Sequence, residues 1–514
     1  MARQTPWAIA ESSGEAFVMK RSVGSTVGRI AVVIVASLAL IAPSAPLATA
    51  GTVATPGSDG LGDSYLPLAG NGGYDVEHYD LDIRYAPATD MLFGHVTITA
   101  LATQGLSSFN LDFVGMHVAA ITVGGVDATW DRQDHHELIV TPATAIADGD
   151  GFTVVIDYEG VPKSPISLGA RVGAVRTDDG VLIYGEPDVA AYWFPSNDHP
   201  RDKATFTIDL TVPEGRKAIS NGRLLGHVSD GNGRVTWSWE ETDPMATYLA
   251  MAVVGRFQIH RYETADGIPV LDAFDPRVNP DARRSLAKEG RLIRFLENQF
   301  GAYPFDDLGG IVDQWPGGFA LENQTRPIYP PGAFEHGPNS YLIVHELAHQ
   351  WFGDTVSVDQ WQHMWLNEGF ATYAEMLWSG ERGDGSPQAV LSYWCGIPAN
   401  DSFWDLEVGD PGIDDLFDYP VYARGAMTLQ VLRKTVGTND FFDILHTWVA
   451  DHAGATGSTD QFIELSESVS GQELSALFDE WLFTSSKPRP CAVGGASRVS
   501  SDLLVPVGRG GGRA

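Results

Sequence analysis

The chain has 514 residues, of which 66 are Asp or Glu and 33 are Lys or Arg, so its formal net charge is −33. At roughly 150 residues per domain, this length predicts about three domains. A hydrophobic fraction of 44% and a charged fraction of 19% are typical of globular proteins. The negative charge disfavours nucleic-acid binding and docking on anionic membranes, because both need basic surface. We interpret most of the acidity as solvated surface.

An apolar run near the N-terminus predicts export. Ile30–Ala42 is a 13-residue, mostly apolar run that follows basic residues and precedes the A-x-A motif Ala48–Ala50. It is shorter than a comfortable membrane span, which needs about 20 residues. The pattern predicts a signal peptide over residues 1–50, cleaved near Ala50, and a secreted mature protein. An uncleaved anchor is the alternative, and the start codon is either Met1 or Met19.

The first half of the mature chain has the pattern of a β protein. Residues 51–66 are rich in Gly, Thr and Ser and predict a flexible leader. The segment that follows, 67–257, predicts an N-terminal antiparallel β domain. Its evidence is a series of short alternating runs bounded by turn residues, at 96–100, 152–157, 204–212 and 235–239.

From about residue 281 the apolar spacing becomes helical. Arg284–Phe300 predicts one amphipathic helix that ends at Gly301, and Gly310–Trp315 predicts a strand. Further helices are predicted at 340–352, 364–379, 424–436, 438–453, 459–468 and 472–483. We expect Gly353 and Gly380 to end the first two of these helices.

The chain has two cysteines, Cys395 and Cys491. In an exported protein they could form one disulfide. No feature of the sequence places them in contact, so two unpaired thiols are an equal alternative.

The strongest motif lies in the predicted helix at 340–352. His345 and His349 flank Glu346 in an HExxH motif, and histidines at i and i+4 share one helix face, where both imidazoles can bind one metal ion. Glu368, on the next predicted helix, supplies a third ligand. Two imidazoles and one carboxylate are the ligand set of a hydrolytic site with one Zn²⁺ ion and an open position for water. The alternative is a pair of surface histidines.

Glu346 is the candidate general base. Zinc lowers the pKa of a water molecule towards neutrality, so a carboxylate can accept the proton. The alternative role is that of an ordinary salt-bridging helix residue.

The two motifs, HELAHQWFGD and NEGFATYAE, resemble the aminopeptidase N family of gluzincins, which also contains leukotriene A hydrolase. The resemblance extends in order over residues 74 to 484. Further matching segments are Gly185–Pro187, Trp193–Asp198, Ala320–Asn323 and Tyr422–Ala426.

The resemblance implies further site residues. Ala320 and Glu322 belong to the family's substrate-binding strand, where Glu322 would hold the free α-ammonium on an exposed strand edge. Glu186 would be a second anionic anchor from the β domain. Tyr422 would donate its hydroxyl to the developing oxyanion. Glu375 would hydrogen-bond a zinc-bound histidine. Structural alternatives are a turn cap for Glu186, a core aromatic for Tyr422 and an exposed position for Glu375.

The sequence also departs from the family pattern. Phe319 stands where the family usually has Gly, which puts the first side-chain pocket in doubt. Arg424 replaces a Lys and keeps its charge. Long members carry a large C-terminal helical domain, and we expect a short form without it and a more open site.

Together these features predict an α+β protein. An N-terminal antiparallel β domain precedes a thermolysin-like zinc peptidase domain over residues 258–385, with a mostly helical C-terminal lobe over residues 386–490. Residues 491–514 predict a disordered tail.

The predicted activity is that of a secreted zinc aminopeptidase, which hydrolyses the N-terminal peptide bond with a zinc-activated water and Glu346 as general base. Its expected partners are peptides with a free N-terminus. We expect no nucleic acid and no stable membrane association after signal cleavage. Zinc endopeptidase or epoxide hydrolase activity and a non-catalytic scaffold are the alternatives. The oligomeric state and the preferred N-terminal residue stay open.

Overall fold

The computed structural model of this chain describes residues 53–315, 318–489 and 491. The predicted signal peptide and almost all of the predicted tail lie outside these residues. The first part of the described chain is built from strands. They are β1 (Thr55–Pro56), β2 (Tyr74–Ala86), β3 (Met91–Ala102), β4 (Leu106–Asp112), β5 (His117–Val123), β6 (Val126–Asp127), β7 (Thr129–Gln133), β8 (Glu137–Thr141), β9 (Gly151–Gly160), β10 (Ile166–Ser167), β11 (Ala170–Arg171), β12 (Gly173–Arg176), β13 (Val181–Tyr184), β14 (Lys203–Pro213), β15 (Lys217–Ile219), β16 (Arg223–Ser229), β17 (Arg234–Ala246) and β18 (Ala252–Gly255).

These strands form one large sheet, two four-stranded sheets and the two-stranded sheet β10-β11. The large sheet has the order β16-β17-β14-β2-β3-β9-β5-β6. Residues along β2 and β3 alternate between buried and more exposed positions, so one face of each strand contributes to the core. Tyr79 and Phe206 stack at that core with ring centroids 5.0 Å apart. The four-stranded sheets have the orders β1-β4-β8-β7 and β12-β13-β18-β15.

The large sheet differs from the predicted antiparallel arrangement in one pairing. Strand β14 pairs with β2 in parallel, whereas its pairing with β17 is antiparallel. A parallel pair needs a long connection, and the chain between Ala86 and Lys203 provides it. The large sheet is therefore mixed.

The prediction of a flexible leader over residues 51–66 is wrong for its described part. Strand β1 pairs with β4, and the Asp63 side chain is fully buried. The Asp63 carboxylate accepts hydrogen bonds from the backbone N–H groups of Trp361 (2.8 Å) and Tyr65 (2.8 Å). A polar, glycine-rich segment is thus fixed by contacts with distant residues, which its composition does not reveal.

The second part of the chain contains a small mixed sheet and helices. Its strands are β19 (Gln258–Glu263), β20 (Pro269–Phe274), β21 (Ile311–Val312), β22 (Ile328–Tyr329), β23 (Val356–Val358) and β24 (Ala455–Gly457). Its helices are α1 (Pro280–Leu286), α2 (Glu289–Phe300), α3 (Ser340–Ala348), α4 (Trp365–Arg382), α5 (Pro387–Trp394), α6 (Tyr419–Val436), α7 (Thr438–His452), α8 (Thr459–Ser470) and α9 (Ser475–Leu482). Strands β19 to β22 pair in chain order, and α3 and α4 carry the metal motif.

Several element bounds differ from those predicted. The single helix expected over Arg284–Phe300 is two helices, α1 and α2, separated by Ala287 and Lys288. Helix α4 passes through Gly380 and ends at Gly383, which adopts the left-handed conformation (φ 78°) typical of a helix C-cap. Helix α6 begins at Tyr419, with Pro420 in its first turn, so Tyr422 lies on the helix.

Cys395 and Cys491 form a disulfide, which settles the alternative that the sequence left open. The bond joins the end of α5 to the C-terminal end of the described chain. Among the described residues, no helix is both long enough and apolar enough to cross a membrane.

Candidate zinc peptidase site

Helix α3 presents the HExxH motif from a capped and buried position. The Asn339 side chain accepts a hydrogen bond from the Leu342 N–H and fixes the start of the helix. The helix is buried along its whole length. His345 and Glu346 lie in its last turn and His349 follows at its C-terminal end, and all three side chains are buried.

Helix α4 brings the two carboxylates that face these histidines. Glu368 lies in its first turn and Glu375 seven residues later, which is about two turns and therefore the same face. Both side chains are buried, at 6% and 3% exposure. Glu368, the predicted third ligand, and Glu375, the predicted hydrogen-bond partner of a zinc-bound histidine, thus lie on one helix opposite α3.

The ligand atoms of His345, His349 and Glu368 converge. Oε2 of Glu368 lies 3.0 Å from Nε2 of His345 and 3.3 Å from Nε2 of His349. Each imidazole has a partner for its other nitrogen: Nδ1 of His345 lies 2.8 Å from Oε1 of Glu375, and Nδ1 of His349 lies 3.0 Å from the carbonyl oxygen of Phe352. These partners fix the tautomer that turns both Nε2 lone pairs to the same point.

This arrangement fits one zinc ion. The three residues form a group whose ligand atoms all lie within 4.8 Å of one another. Burial alone would lower the pKa of His345, but hydrogen bonds with Glu368 and Glu375 raise it well above its ordinary value. Burial alone would raise the pKa of Glu368, but the charges and hydrogen bonds of His349 and His345 hold it well below its usual range. The site therefore favours a positive charge between the imidazoles and the carboxylate.

Glu346 is buried beside the ligands, at 3% exposure. Burial raises the pKa of its carboxyl to about 8, although the neighbouring histidines act in the opposite direction. Its carboxylate, the carboxylate of Glu322 and an imidazole nitrogen of His349 lie within 4.8 Å of one another. The predicted base and the predicted ammonium anchor thus share one small space with a zinc ligand.

Glu322 is held by residues that the motif analysis did not single out. The Tyr248 hydroxyl donates to its Oε1 (3.2 Å), and the side-chain N–H of Gln350 donates to its backbone oxygen (3.0 Å). Gln350 also accepts a hydrogen bond from the backbone N–H of Thr325, whose φ of 65° is unusual for a β-branched residue. Gln350 directly follows the HExxH motif, and this position was its only signal in the sequence.

The expected exposed strand edge at Glu322 is absent from the described residues. Only Leu321 makes a strand bridge, to Ile328, and Glu322 itself is 4% exposed. Ala320, the other predicted substrate-binding residue of this segment, is partly buried and packs against the core.

Glu186 lies on the same side of the site. It is 4% exposed and follows β13, where the Glu186–Pro187 peptide bond is cis. Burial raises the pKa of Tyr248 well above its ordinary value, and the negative charges of Glu322, Asp354 and Glu186 raise it further. The charges of several carboxylates therefore act on one buried hydroxyl. One of them is Asp354, the last residue of the HELAHQWFGD motif, to which the sequence had suggested no role.

Phe319 packs on the strand that leads to Glu186. Its ring stacks on Tyr184 with centroids 5.3 Å apart, and it is 4% exposed. The indole N–H of Trp315 donates to the Tyr184 hydroxyl (2.9 Å). The aromatic residue that replaces the usual glycine thus joins the Glu322 segment to the Glu186 segment.

Tyr422 reaches the zinc ligands from α6. Its ring lies parallel to that of His345, with an interplanar angle of 19° and centroids 6.1 Å apart. Helices α4 and α6 cross where Gly369 meets Gly425, with backbone against backbone. This close crossing holds Tyr422 beside His345.

Arg424 has a structural position. It is fully buried and donates hydrogen bonds to the carbonyl oxygens of Leu406 (2.6 Å), Trp481 (2.9 Å) and Thr484 (3.0 Å). Burial lowers its pKa to about 10. The Arg424 guanidinium thus links α6 to the end of α9 through hydrogen bonds and does not contact the zinc ligands.

Two imidazoles, a carboxylate ligand and an adjacent buried glutamate define the class of zinc hydrolases. Comparison with known proteins agrees. Residues 75–249 match the Peptidase M1 N-terminal domain and residues 286–481 match the Peptidase family M1 domain, together more than two thirds of the chain. The chain belongs to the M1 peptidase family, the aminopeptidase N family of gluzincins.

Individual relatives support the same assignment. Aminopeptidase M1 of Arabidopsis thaliana is 30% identical over 321 residues, which are 58% of this chain and 36% of that protein. Aminopeptidase N of Lactococcus lactis subsp. lactis is 26% identical over 435 residues, 79% of this chain and 50% of that protein. The chain thus spans between a third and a half of these curated relatives.

A solved structure resembles the chain over a larger share of its length. An M1 zinc metallopeptidase from Deinococcus radiodurans superposes with a TM-score of 0.77 at 28% identity, over 84% of this chain and 99% of that one. The predicted α+β fold, with a β-rich N-terminal part before a zinc peptidase part, is confirmed.

Proposed function

We propose that this protein is a secreted zinc aminopeptidase that removes one residue at a time from peptides with a free N-terminus. One observation carries the proposal: the Glu322 carboxylate lies within 4.8 Å of both the Glu346 carboxylate and a zinc-ligating imidazole. The ammonium nitrogen and carbonyl carbon of an N-terminal residue are about 2.5 Å apart. An anchor this close to the zinc ligands therefore leaves room for a single residue between the ammonium and the scissile bond.

The carboxylates around Tyr248 favour a cationic substrate group. Glu322, Glu186 and Asp354 are buried, and their mutual repulsion is relieved when an ammonium enters. A blocked N-terminus brings no positive charge and does not relieve this repulsion, so it is rejected.

The roles of the other residues follow from their positions. Zinc, when bound, polarises the scissile carbonyl and lowers the pKa of water. Glu346 accepts the proton from the attacking water and passes it to the leaving amine. Tyr422 donates its hydroxyl to the oxyanion that develops on the carbonyl oxygen. Glu375 holds His345 in its ligating tautomer.

Three features support export and a peptide substrate. The N-terminal sequence has the pattern of a signal peptide. Both cysteines are joined in one disulfide, which suits an oxidising compartment. A similar structure, the Deinococcus radiodurans zinc metallopeptidase, was solved with a Tyr-Ser-Ala substrate. Export is tested by N-terminal sequencing of protein from the culture medium, which should begin at residue 51.

The activity is tested with pairs of free and N-acetylated peptides and with aminoacyl-arylamides. The wild-type protein should cleave the free substrates only, and a chelator should abolish the cleavage. Glu346→Gln should reduce kcat by about 10²–10⁴ while the protein keeps its zinc. Cleavage of the acetylated peptides would instead support an endopeptidase, and full activity of Glu346→Gln would overturn the proposed mechanism.

A further inference from the structure

A second group of metal-ligating side chains lies in the β domain, away from the residues of the zinc peptidase site. Asp112 ends β4 and Glu137 begins β8, and the two residues are direct partners in the antiparallel register. Their side chains therefore point to the same face of the sheet. His136, the residue before Glu137, completes the group.

The geometry of this group resembles that of the zinc peptidase site. Nδ1 of His136 lies 3.2 Å from Oδ1 of Asp112 and 3.2 Å from Oε1 of Glu137. The corresponding nitrogen-to-oxygen distances at Glu368 are 3.0 and 3.3 Å. All three ligand atoms of the second group also lie within 4.8 Å of one another.

Neutral donors hold the outer oxygen of each carboxylate. The Asn110 side chain donates to Oε2 of Glu137 (3.1 Å). The backbone N–H groups of Gly70 (3.1 Å) and Asp198 (2.6 Å) donate to Oδ2 of Asp112. The remaining oxygens, Oδ1 and Oε1, are thereby turned towards the imidazole. Supporting hydrogen bonds of this kind orient carboxylates that bind metals.

One oxygen of the group lacks a hydrogen-bond donor. Asp112 is fully buried, and its Oδ1 accepts no hydrogen bond from any residue that the structure describes. The Nδ1 of His136 lies 3.2 Å from an oxygen of each carboxylate and can carry only one hydrogen, so it cannot satisfy both. A buried carboxylate oxygen without a partner is costly, and carboxylates directly opposite each other repel. A divalent cation among the three atoms would remove both penalties.

We propose that Asp112, His136 and Glu137 bind a second divalent transition-metal ion, of the zinc type, that has a structural role. One imidazole nitrogen and two carboxylate oxygens are ligands that Zn²⁺ accepts. The His136 side chain is 17% exposed, so a water molecule can occupy a fourth position from solvent. No step of the proposed hydrolysis uses this ion.

The site would stabilise the segment that follows Glu186. Asp112 and Ser196 exchange two backbone hydrogen bonds, of 2.8 and 3.1 Å, and Asp112 also accepts from the Asp198 N–H. An ion bound to Asp112 would therefore fix the loop between β13 and β14. We expect its removal to lower thermal stability and to leave the zinc of the peptidase site in place.

Metal content of the full secreted chain tests the proposal. The protein is stripped with a chelator, reloaded with Zn²⁺, desalted and analysed by mass spectrometry of the metal. Wild type should hold two ions per chain, His345→Ala one ion, and the double variant His345→Ala/His136→Ala none. Thermal unfolding of His345→Ala should also shift upwards on Zn²⁺ addition, and that of the double variant should not.

Two further variants separate loss of the site from loss of the fold. Glu137→Gln keeps the size of the side chain and should also lose the second ion. His95→Ala is the matched control, because His95 pairs with a single carboxylate, Asp157, at 2.7 Å and is exposed. It should keep both ions. Two results would overturn the second site. The first is one ion in wild type and none in His345→Ala. The second is two ions in both His136→Ala and Glu137→Gln. Either result leaves the proposed aminopeptidase activity intact.

Discussion

Gly369 and Gly425 meet where α4 crosses α6. A Cβ atom added to Gly369 would lie 2.8 Å from the Cα atom of Gly425, closer than carbon atoms pack. Glu368 directly precedes one glycine, and Tyr422 lies three residues before the other. The crossing therefore sets the distance between a zinc ligand and the hydroxyl proposed to stabilise the oxyanion.

Gly425→Ala should impair catalysis by separating these two helices. The added methyl group meets the backbone of α4, which has no flexible side chain to yield. We expect a loss of about 1–3 kcal/mol in the free energy of unfolding and a fall in kcat. The control is Gly380→Ala on α4, where the nearest atom is the Pro387 side chain at 3.4 Å. Stability is measured by urea unfolding and kcat with arylamide substrates. Both values for the control should be close to those of wild type.

Tyr422→Phe should reduce kcat by about 10²–10³ with little change in KM. In the proposed mechanism the hydroxyl acts on charge that develops during the reaction, whereas the ring that lies parallel to His345 is retained in the variant. Zinc content should stay at the wild-type value. An unchanged kcat would assign Tyr422 to packing alone.

Glu375→Gln should weaken zinc binding at the peptidase site about 10–100-fold. The carboxylate at 2.8 Å from Nδ1 of His345 fixes the tautomer of that ligand, and an amide does so less strongly. Competition with a chromophoric chelator measures the affinity. Glu381→Gln, an exposed residue on the same helix, is the matched control and should bind zinc like wild type.

The sequence predicted that His345, His349 and Glu368 come together, because much of their geometry is local. A spacing of four residues on one helix and of seven on another determines which side chains share a face, whatever surrounds them. The resemblance to a known family added Glu322, Glu186 and Tyr422. The structure places Glu322 near His349, Tyr422 near His345, and the charge of Glu186 near Tyr248.

The parts that sequence reasoning missed depend on contacts between distant segments. Tyr248 and Gln350 hold Glu322 from elements far apart in the chain, and no local pattern indicates that either residue contacts Glu322. Asp63 is buried by Trp361, nearly 300 residues away, although the composition around it indicates a flexible leader. The pairing of the two cysteines likewise depends on where α5 meets the end of the chain.

Removal of the disulfide should lower stability through the unfolded state. Cys395 and Cys491 close a loop with a sequence separation of 96 residues. The chain-entropy estimate for a loop of this length is about 4.7 kcal/mol. The double variant Cys395→Ala/Cys491→Ala should therefore melt at a lower temperature than wild type. Dithiothreitol should lower the melting temperature of wild type and leave that of the variant unchanged.

The buried carboxyl of Glu241 should make stability depend on pH. Burial raises its pKa to about 8, from an ordinary value of 4.5, and the negative charges of Asp243 and Asp307 contribute. The backbone N–H of Asp243 and the side chain of Gln324 act in the opposite direction and do not compensate. Its Oε2 accepts no hydrogen bond from the described residues.

The direction of this pH dependence follows from the number of protons bound by the folded and the unfolded state. Between about pH 4.5 and pH 8 the folded state keeps this proton and the unfolded state has lost it, so the free energy of unfolding contributed by Glu241 falls as the pH rises. Glu241→Gln carries no titrating group there. We expect the variant to match wild type near the acidic end of this window and to be more stable by on the order of 2 kcal/mol near its alkaline end.

Urea unfolding at a series of pH values measures this difference between wild type and Glu241→Gln. Glu240→Gln is the matched control, because the Glu240 side chain, next to Glu241 in the sequence, points to the opposite, partly exposed face of β17. The control should follow the wild-type curve at every pH. A constant offset between wild type and Glu241→Gln would show that Glu241 does not titrate in this window. The pH dependence would then have to come from other buried carboxyls, such as Asp313, whose pKa burial raises to about 7.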